Sequence, residues 1–108
     1  MTKSFDTINS SKSCLFKFKE ERINAQVAEE MKKSILDDVR KVPAEKEVIF
    51  DLDKVEYVSS PFLSLVIASA KETQKKGAVF SIKGASEDVS EILKLVGIDK
   101  ISKIEDKK

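Results

Sequence analysis

The sequence contains no histidine and no tryptophan, and only one cysteine, three glycines and two prolines. Without histidine, the commonest general base and the commonest nitrogen ligand for zinc are both missing. The lone Cys14 forms no intrachain disulfide, and with no histidine beside it a standard zinc site cannot be assembled. A Ser-His-Asp triad is excluded. Gly77, Gly84 and Gly97 fall into neither a phosphate-loop pattern nor a GxGxxG pattern. A carboxylate-only active site remains open. Asp51 and Asp53 would share a face if their strand ran that far, but the reading preferred here is a pair of solvated acids at a strand end. No cofactor or metal is called for.

Long hydrophobic runs are also absent. The longest, from Phe62 to Ala70, is interrupted by Ser64 and Ser69, and it is far short of the ~20 apolar residues that span a bilayer. The opening Met1-Thr2-Lys3-Ser4 leads into no apolar segment of signal-peptide type. The expectation is a cytoplasmic protein with no membrane partner. Charge of one sign is missing too, with 20 Lys+Arg against 19 Asp+Glu. No basic stripe stands out, and the ending Glu105-Asp106-Lys107-Lys108 is mixed. Such a chain lacks the means to neutralise many phosphates, so nucleic acid is not among the expected partners.

What is present describes one soluble domain over residues 1–108, with 41% hydrophobic and 36% charged residues. Residues 1–12 are polar and are expected to be loose or to form an edge strand. They pair as a hairpin with Cys14-Leu15-Phe16-Lys17-Phe18, where alternation puts Cys14, Phe16 and Phe18 on one face. Asn24 reads as a helix N-cap, followed by Val27, Ala28, Met31, Ile35 and Val39 at helical spacing. Pro43 ends that helix. Val48-Ile49-Phe50 is a strand expected to be buried on both faces.

A second helix carries Leu63, Val66, Ile67 and Ala70 on its inner stripe and stops at Gly77. Ala78 to Ile82 is a strand. Ser86 caps a last helix with Val89, Ile92, Leu93 and Val96 inside, and Gly97 stops it. Ile98, Ile101 and Ile104 belong to a final extended piece. Strands alternating with helices predict an α/β fold with a largely parallel sheet.

The seam Tyr57-Val58-Ser59-Ser60-Pro61-Phe62 stands between a strand and a helix. Ser60 at N-cap with Pro61 at N1 is a common helix start. The same geometry accommodates a phosphoryl group, because a helix N-terminus favours an added anion. Phe62 reads either as core or as an exposed anchor for a partner.

The stretch "VIFDLDKVEYVSSPFLSLVIASAKETQKKGAVFSIKG" resembles the STAS domain family, within it the small anti-sigma-factor antagonists. "EERINAQVAEEM" is similar to that family's first loop and helix, and "ILKLVGIDKISKI" to its closing helix, glycine and strand. The resemblance covers nearly the whole chain. It implies a single STAS-like domain, a mainly parallel sheet with helices packed on one side.

Aligned without gaps, the family's regulatory serine falls on Ser60, with Ser59 as second choice. Leu63 takes the place of the leucine that anchors the helix, and Asn24 stands where aspartate is frequent. Phe62 replaces a typical glycine, Pro61 a typical serine or alanine, and Glu21 the glycine of the earlier loop. The function implied is that of a non-enzymatic antagonist. It would bind an ATP-binding anti-sigma factor that is also a serine kinase, be phosphorylated on Ser60, and be reset by a serine phosphatase. The implied partner surface comprises Asn24, Asp53, Ser59, Ser60, Pro61, Phe62 and Ser64.

Two other readings stay open. Pro61 and Phe62 motivate a STAS scaffold module that is never phosphorylated. The third is a nucleotide binder at the carboxyl end of the sheet, which no phosphate loop supports.

Overall fold

In the computed structural model, which describes residues 4–106, helix α1 (Ala25–Lys41) starts where its cap residue dictates. Asn24 is extended, and its Oδ1 accepts from the Val27 N–H at 2.9 Å. That bond satisfies one of the four amides a helix start leaves unpaired. Ala28, Met31, Ile35 and Val39 follow as a buried stripe, with Val27 half-buried beside it. The helix stops at an extended Val42, as the residue before Pro43 should be.

Strands β1 (Phe5–Asn9) and β2 (Ser13–Phe18) form an antiparallel hairpin. The N-terminal segment is thus an edge strand from Phe5; Met1 to Lys3 lie outside the described residues, as do Lys107 and Lys108. Strands β4 (Glu47–Asp51), β6 (Phe80–Ala85) and β7 (Lys103–Asp106) complete the sheet in the order β1-β2-β4-β6-β7, parallel from β2 onward. Its inner face carries Cys14, Phe16, Phe18, Val48, Phe50, Phe80 and Ile82, all buried. Its outer face carries Leu15, Ile49 and Ser81, all half-buried. Central β4 is therefore not buried on both faces, because the helices cover only one.

All six phenylalanines lie in the core. Their rings form a linked set: Phe5 meets Phe16 and Phe18, Phe50 meets Phe16, Phe18 and Phe80, and Phe62 meets Phe18. Centroids 4.9–6.2 Å apart in tilted or edge-on pairs are within the favourable range for aromatic contacts.

Helix α2 (Ser60–Lys75) buries Phe62, Leu65, Val66, Ser69, Ala70 and Thr73. The sequence stripe of Leu63, Val66, Ile67 and Ala70 is displaced, since Leu63 and Ile67 sit half-buried on the flank. The ring of Phe62 is fully buried with Leu65 and Val66, so the inner face of the helix is rotated away from Leu63 and Ile67. At the other end, Gly77 has φ +77°, the Gly77 N–H donates to Gln74, and the Ala78 N–H donates to Thr73. These two bonds make a Schellman stop at the predicted glycine.

Lys76, beside it, reaches back to the end of α1. Its Nζ donates to the carbonyls of Val39 (2.6 Å), Arg40 (3.2 Å) and Val42 (2.7 Å). A cation there satisfies orphan carbonyls and opposes the negative end of the dipole.

Helix α3 (Glu87–Leu95) is capped by Ser86, whose Oγ accepts from the Val89 N–H at 3.2 Å. Val89 and Leu93 are buried and Ile92 half-buried, but Val96 is 44% exposed. Val96 lies past the last helical residue, so it does not continue the inner stripe. Gly97, at φ +84°, turns the chain into a short 3-10 turn over Ile98–Lys100. The expected extended piece from Ile98 thus becomes strand only at Lys103, because Ile98 is consumed filling the core at the turn.

Candidate functional site

Two strands of two residues each, β3 (Arg22–Ile23) and β5 (Tyr57–Val58), place the site. They pair in parallel, Arg22 with Tyr57 and Ile23 with Val58. Ile23 and Val58 are buried and fix the pair to the core. The residues that follow are Asn24 and Ser59, the N-caps of α1 and α2, and the Ser59 N–H donates to the Ile23 carbonyl at 3.0 Å. A parallel pair of strands thereby brings two helix N-termini together.

The cap of α2 is Ser59, not Ser60. Ser59 is extended (φ −98°, ψ 167°), and its carbonyl accepts the first helical bond, from the Leu63 N–H at 3.0 Å. Ser60 is then N1 and Pro61 is N2. Proline is tolerated there for the same reason as at N1: its missing N–H would be one of the orphans. Ser59 is 8% exposed, and its Oγ has no hydrogen-bond partner. The hydroxyl in cap position therefore caps nothing, whereas Asn24 on α1 does.

Ser60 and Ser64 are exposed one turn apart on the outer face of α2, with Pro61 half-buried between them. Asn24 is exposed as well. Phe62 is 0% exposed, so it is a core residue and not a surface anchor for a partner. The helical period places it on the face opposite the one the partner surface would need, with Leu65 and Val66.

The two aspartates separate. Strand β4 ends at Asp51, which is 7% exposed and not solvated; its Oδ1 accepts from the Asp53 N–H at 3.0 Å. Asp53 is exposed in the turn that follows. That turn presses on Gly84 of β6: a Cβ there would lie 3.1 Å from the Asp53 backbone, at a residue whose φ is +74°. The positive φ strains any other residue there, and a Cβ would also press the turn outward by a few tenths of an ångström. The acids do not form an open pair, and no group of three metal-ligating side chains occurs among the described residues.

One feature escaped sequence reasoning. The Arg22 guanidinium carbon stands 4.5 Å from the centroid of the Tyr57 ring, a cation–π contact on the outer side of the β3–β5 pair. Two-residue strands carry no periodicity, and the only available signal was the single tyrosine beside the seam. Electrostatically, neither α1 nor α2 has an acid in its first turn, whereas α3 has Glu87 and Asp88. No acid of their own first turns opposes the paired positive ends of α1 and α2.

The site thus sits on a mainly parallel α/β sheet covered by helices on one face, with two helix starts held side by side. The profile of the STAS domain family matches residues 5–108, and the chain belongs to that family. Solved structures are similar across nearly the full length. An anti-sigma-factor antagonist (STAS) domain protein from Planctomyces limnophilus is 20% identical, with a TM-score of 0.85 over 96% of this chain and 91% of that one. A putative anti-sigma factor antagonist from Thermotoga maritima is 23% identical, with a TM-score of 0.77 over 94% and 86%. The anti-sigma factor antagonist SpoIIAA of Bacillus, solved unphosphorylated and phosphorylated, is 10% identical; its TM-score is 0.72 over 96% of this chain and 89% or 91% of that one. These likenesses establish the fold. No helix among the described residues is long and apolar enough to cross a membrane.

Proposed function

We propose that this STAS domain is an anti-sigma-factor antagonist switched by phosphorylation of Ser60. The observation that carries the reading is the exposed Ser60 hydroxyl in the first turn of α2, where no acid opposes an incoming anion. A phosphoryl group adds about −1.5 to −2 charges. Two neighbouring helix N-termini accept that charge without unfolding. The change falls on the surface and not in the core.

In this reading the unmodified protein docks through Asn24, Ser60, Pro61 and Ser64 onto an anti-sigma factor that is also an ATP-binding serine kinase. Asp53 and the Arg22–Tyr57 pair lie at the rim. Docking releases the sigma factor. Transfer of the γ-phosphoryl group of ATP to Ser60 Oγ puts charge and bulk into the contact, and the complex separates through repulsion and desolvation. A serine phosphatase restores the hydroxyl. The chain is a substrate and a binder with no cofactor of its own. Support comes from the family and from SpoIIAA, a similar domain that exists in both phosphorylation states.

Site-resolved phosphorylation mapping of the native protein from its own cells is the test, with and without stress. Phosphate on Ser60 is expected. Buried Ser59 is the poorer acceptor, and phosphate there in place of Ser60 would overturn the assignment. A fully covered peptide without phosphate would move the function to a constitutive scaffold.

A further inference from the structure

The helices leave the outer face of the sheet open, and its registered rows have a pattern. Across the strands, one row reads Ile8, Leu15, Ile49, Ser81, Lys103. The next reads Asp6, Lys17, Asp51, Lys83, Glu105, with charge alternating in sign from edge to edge. Ile8 is 52% exposed, and Leu15, Lys17 and Ile49 are half-buried. Among the described residues neither Lys17 nor Lys83 makes an ion pair, and Asp6 bonds to Lys19 at 3.3 Å. The row is charged in register but unclosed.

We infer that this face binds a second copy of the same chain, through a two-fold axis parallel to the strands and midway between β2 and β4. Such an axis keeps each row opposite itself while reversing the order of strands. Leu15 then faces Ile49 of the second copy, and Ile49 faces its Leu15, giving a four-residue apolar centre. Lys83 faces the second copy's Asp6, both exposed, while Lys17 stands over its Asp51, a carboxylate that is 7% exposed and already accepts from the Asp53 N–H. Each of these pairings occurs twice, and all are opposite in sign. An axis placed on β4 itself would set Asp51 on Asp51 and Lys17 on Lys83, which repel. The charge row therefore excludes an axis on a strand; of the axes between strands, the one between β2 and β4 overlaps four strands and keeps Leu15 on Ile49, whereas one between β4 and β6 would set Leu15 on Lys103.

Aligned packing of two sheets face to face is an ordinary arrangement. The area is small. Four strands overlap about this axis, and at about 4.8 Å apart and five residues long at about 3.3 Å each they give a footprint of roughly 300 Å². A stable interface buries about 800 Å² per partner. The dimer is therefore weak and reversible. The start of α2 stands in the helix layer, on the opposite side of the sheet, so this contact leaves the Ser60 surface free.

Sedimentation velocity of the full chain, from micromolar to millimolar concentration, tests the assignment. The mass is expected to rise from monomer toward dimer, less so at high salt. Ile49→Lys should hold the chain monomeric, with thermal melting confirming that it folds. Lys83→Glu should weaken dimerisation by about tenfold, and the double variant Asp6→Lys/Lys83→Glu should restore it. Those two positions are at the surface, so the swap remains informative if Ile49→Lys unfolds. A chain that stays monomeric throughout, even if the face binds a different protein, overturns the inference. So does a dimer that ignores the charge swap, or one that Leu95→Glu on exposed α3 abolishes instead.

Discussion

The ring of Phe62, in the first turn of α2, stands edge-on to Phe18 at the end of β2, with centroids 5.2 Å apart and planes at 81°. This contact bolts the start of α2, and with it the Ser60 surface, onto the sheet. Phe62→Ala would remove a fully buried ring and leave a cavity that the surrounding rings fill poorly. A loss of about 3–5 kcal/mol is expected in urea denaturation.

Asn24 and Ser59 hold equivalent cap positions but make unequal bonds. Asn24→Ala breaks a hydrogen bond to the Val27 N–H, and should cost about 1 kcal/mol. Ser59→Ala removes a buried hydroxyl that has no partner. That change should be neutral, or stabilising by up to about 1 kcal/mol. Matched denaturation curves of the two variants give the comparison directly.

Ser60→Asp places a carboxylate at N1 of α2. The dipole favours it, so the melting temperature should hold or rise, by the equivalent of about 0.3–1 kcal/mol. On the proposed function, binding to an anti-sigma partner, followed by calorimetry, should nevertheless be lost, while Ser60→Ala keeps it. Stability and affinity moving apart is the signature of a surface switch.

Lys76→Met keeps the aliphatic stem and removes the ammonium that bonds to three carbonyls at the end of α1. The carbonyls would turn to water, at a net cost of about 1–3 kcal/mol. Hydrogen exchange should show faster opening confined to the last turn of α1.

Cys14 gives a pH dependence. Burial pushes its thiol pKa up; Lys46 opposes the shift and Asp38 adds to it. The folded chain therefore holds the proton to higher pH than the unfolded chain does. The contribution to stability is fully present below the unfolded thiol value of about 8.5 and is lost as pH rises beyond it. Stability of the native protein should fall more between pH 8 and about 10 than that of Cys14→Ala. Taking the difference between the two proteins isolates the thiol from every other contribution to the pH dependence.

Much of the architecture was legible in the chain itself. Asn24, Ser86 and Gly77 act where they stand, because a cap or a stop depends on local backbone geometry and a side chain a few residues away. The alternation of Cys14, Phe16 and Phe18 was equally local. What failed did so for non-local reasons. Ser60 was read as the cap from its proline neighbour, yet the Ser59–Ile23 bond across the β3–β5 pair sets the start one residue earlier. Strands of two residues have no period from which they could be read.

By itself the sequence determined the class of the protein: one α/β domain without the side chains for zinc or triad chemistry, with a serine-rich seam opening a helix. Those properties follow from composition and from periodicities of 2 and 3.6, which are local. Only the tertiary structure decided which hydroxyl faces outward and which ring faces inward. Ser59 is buried, Ser60 is exposed and Phe62 is in the core. The difference is one of rotation about the axis of α2. That rotation is set by Phe18, which receives the Phe62 ring from a strand distant in the sequence, and by the Ile23–Val58 pairing that fixes where the helix starts.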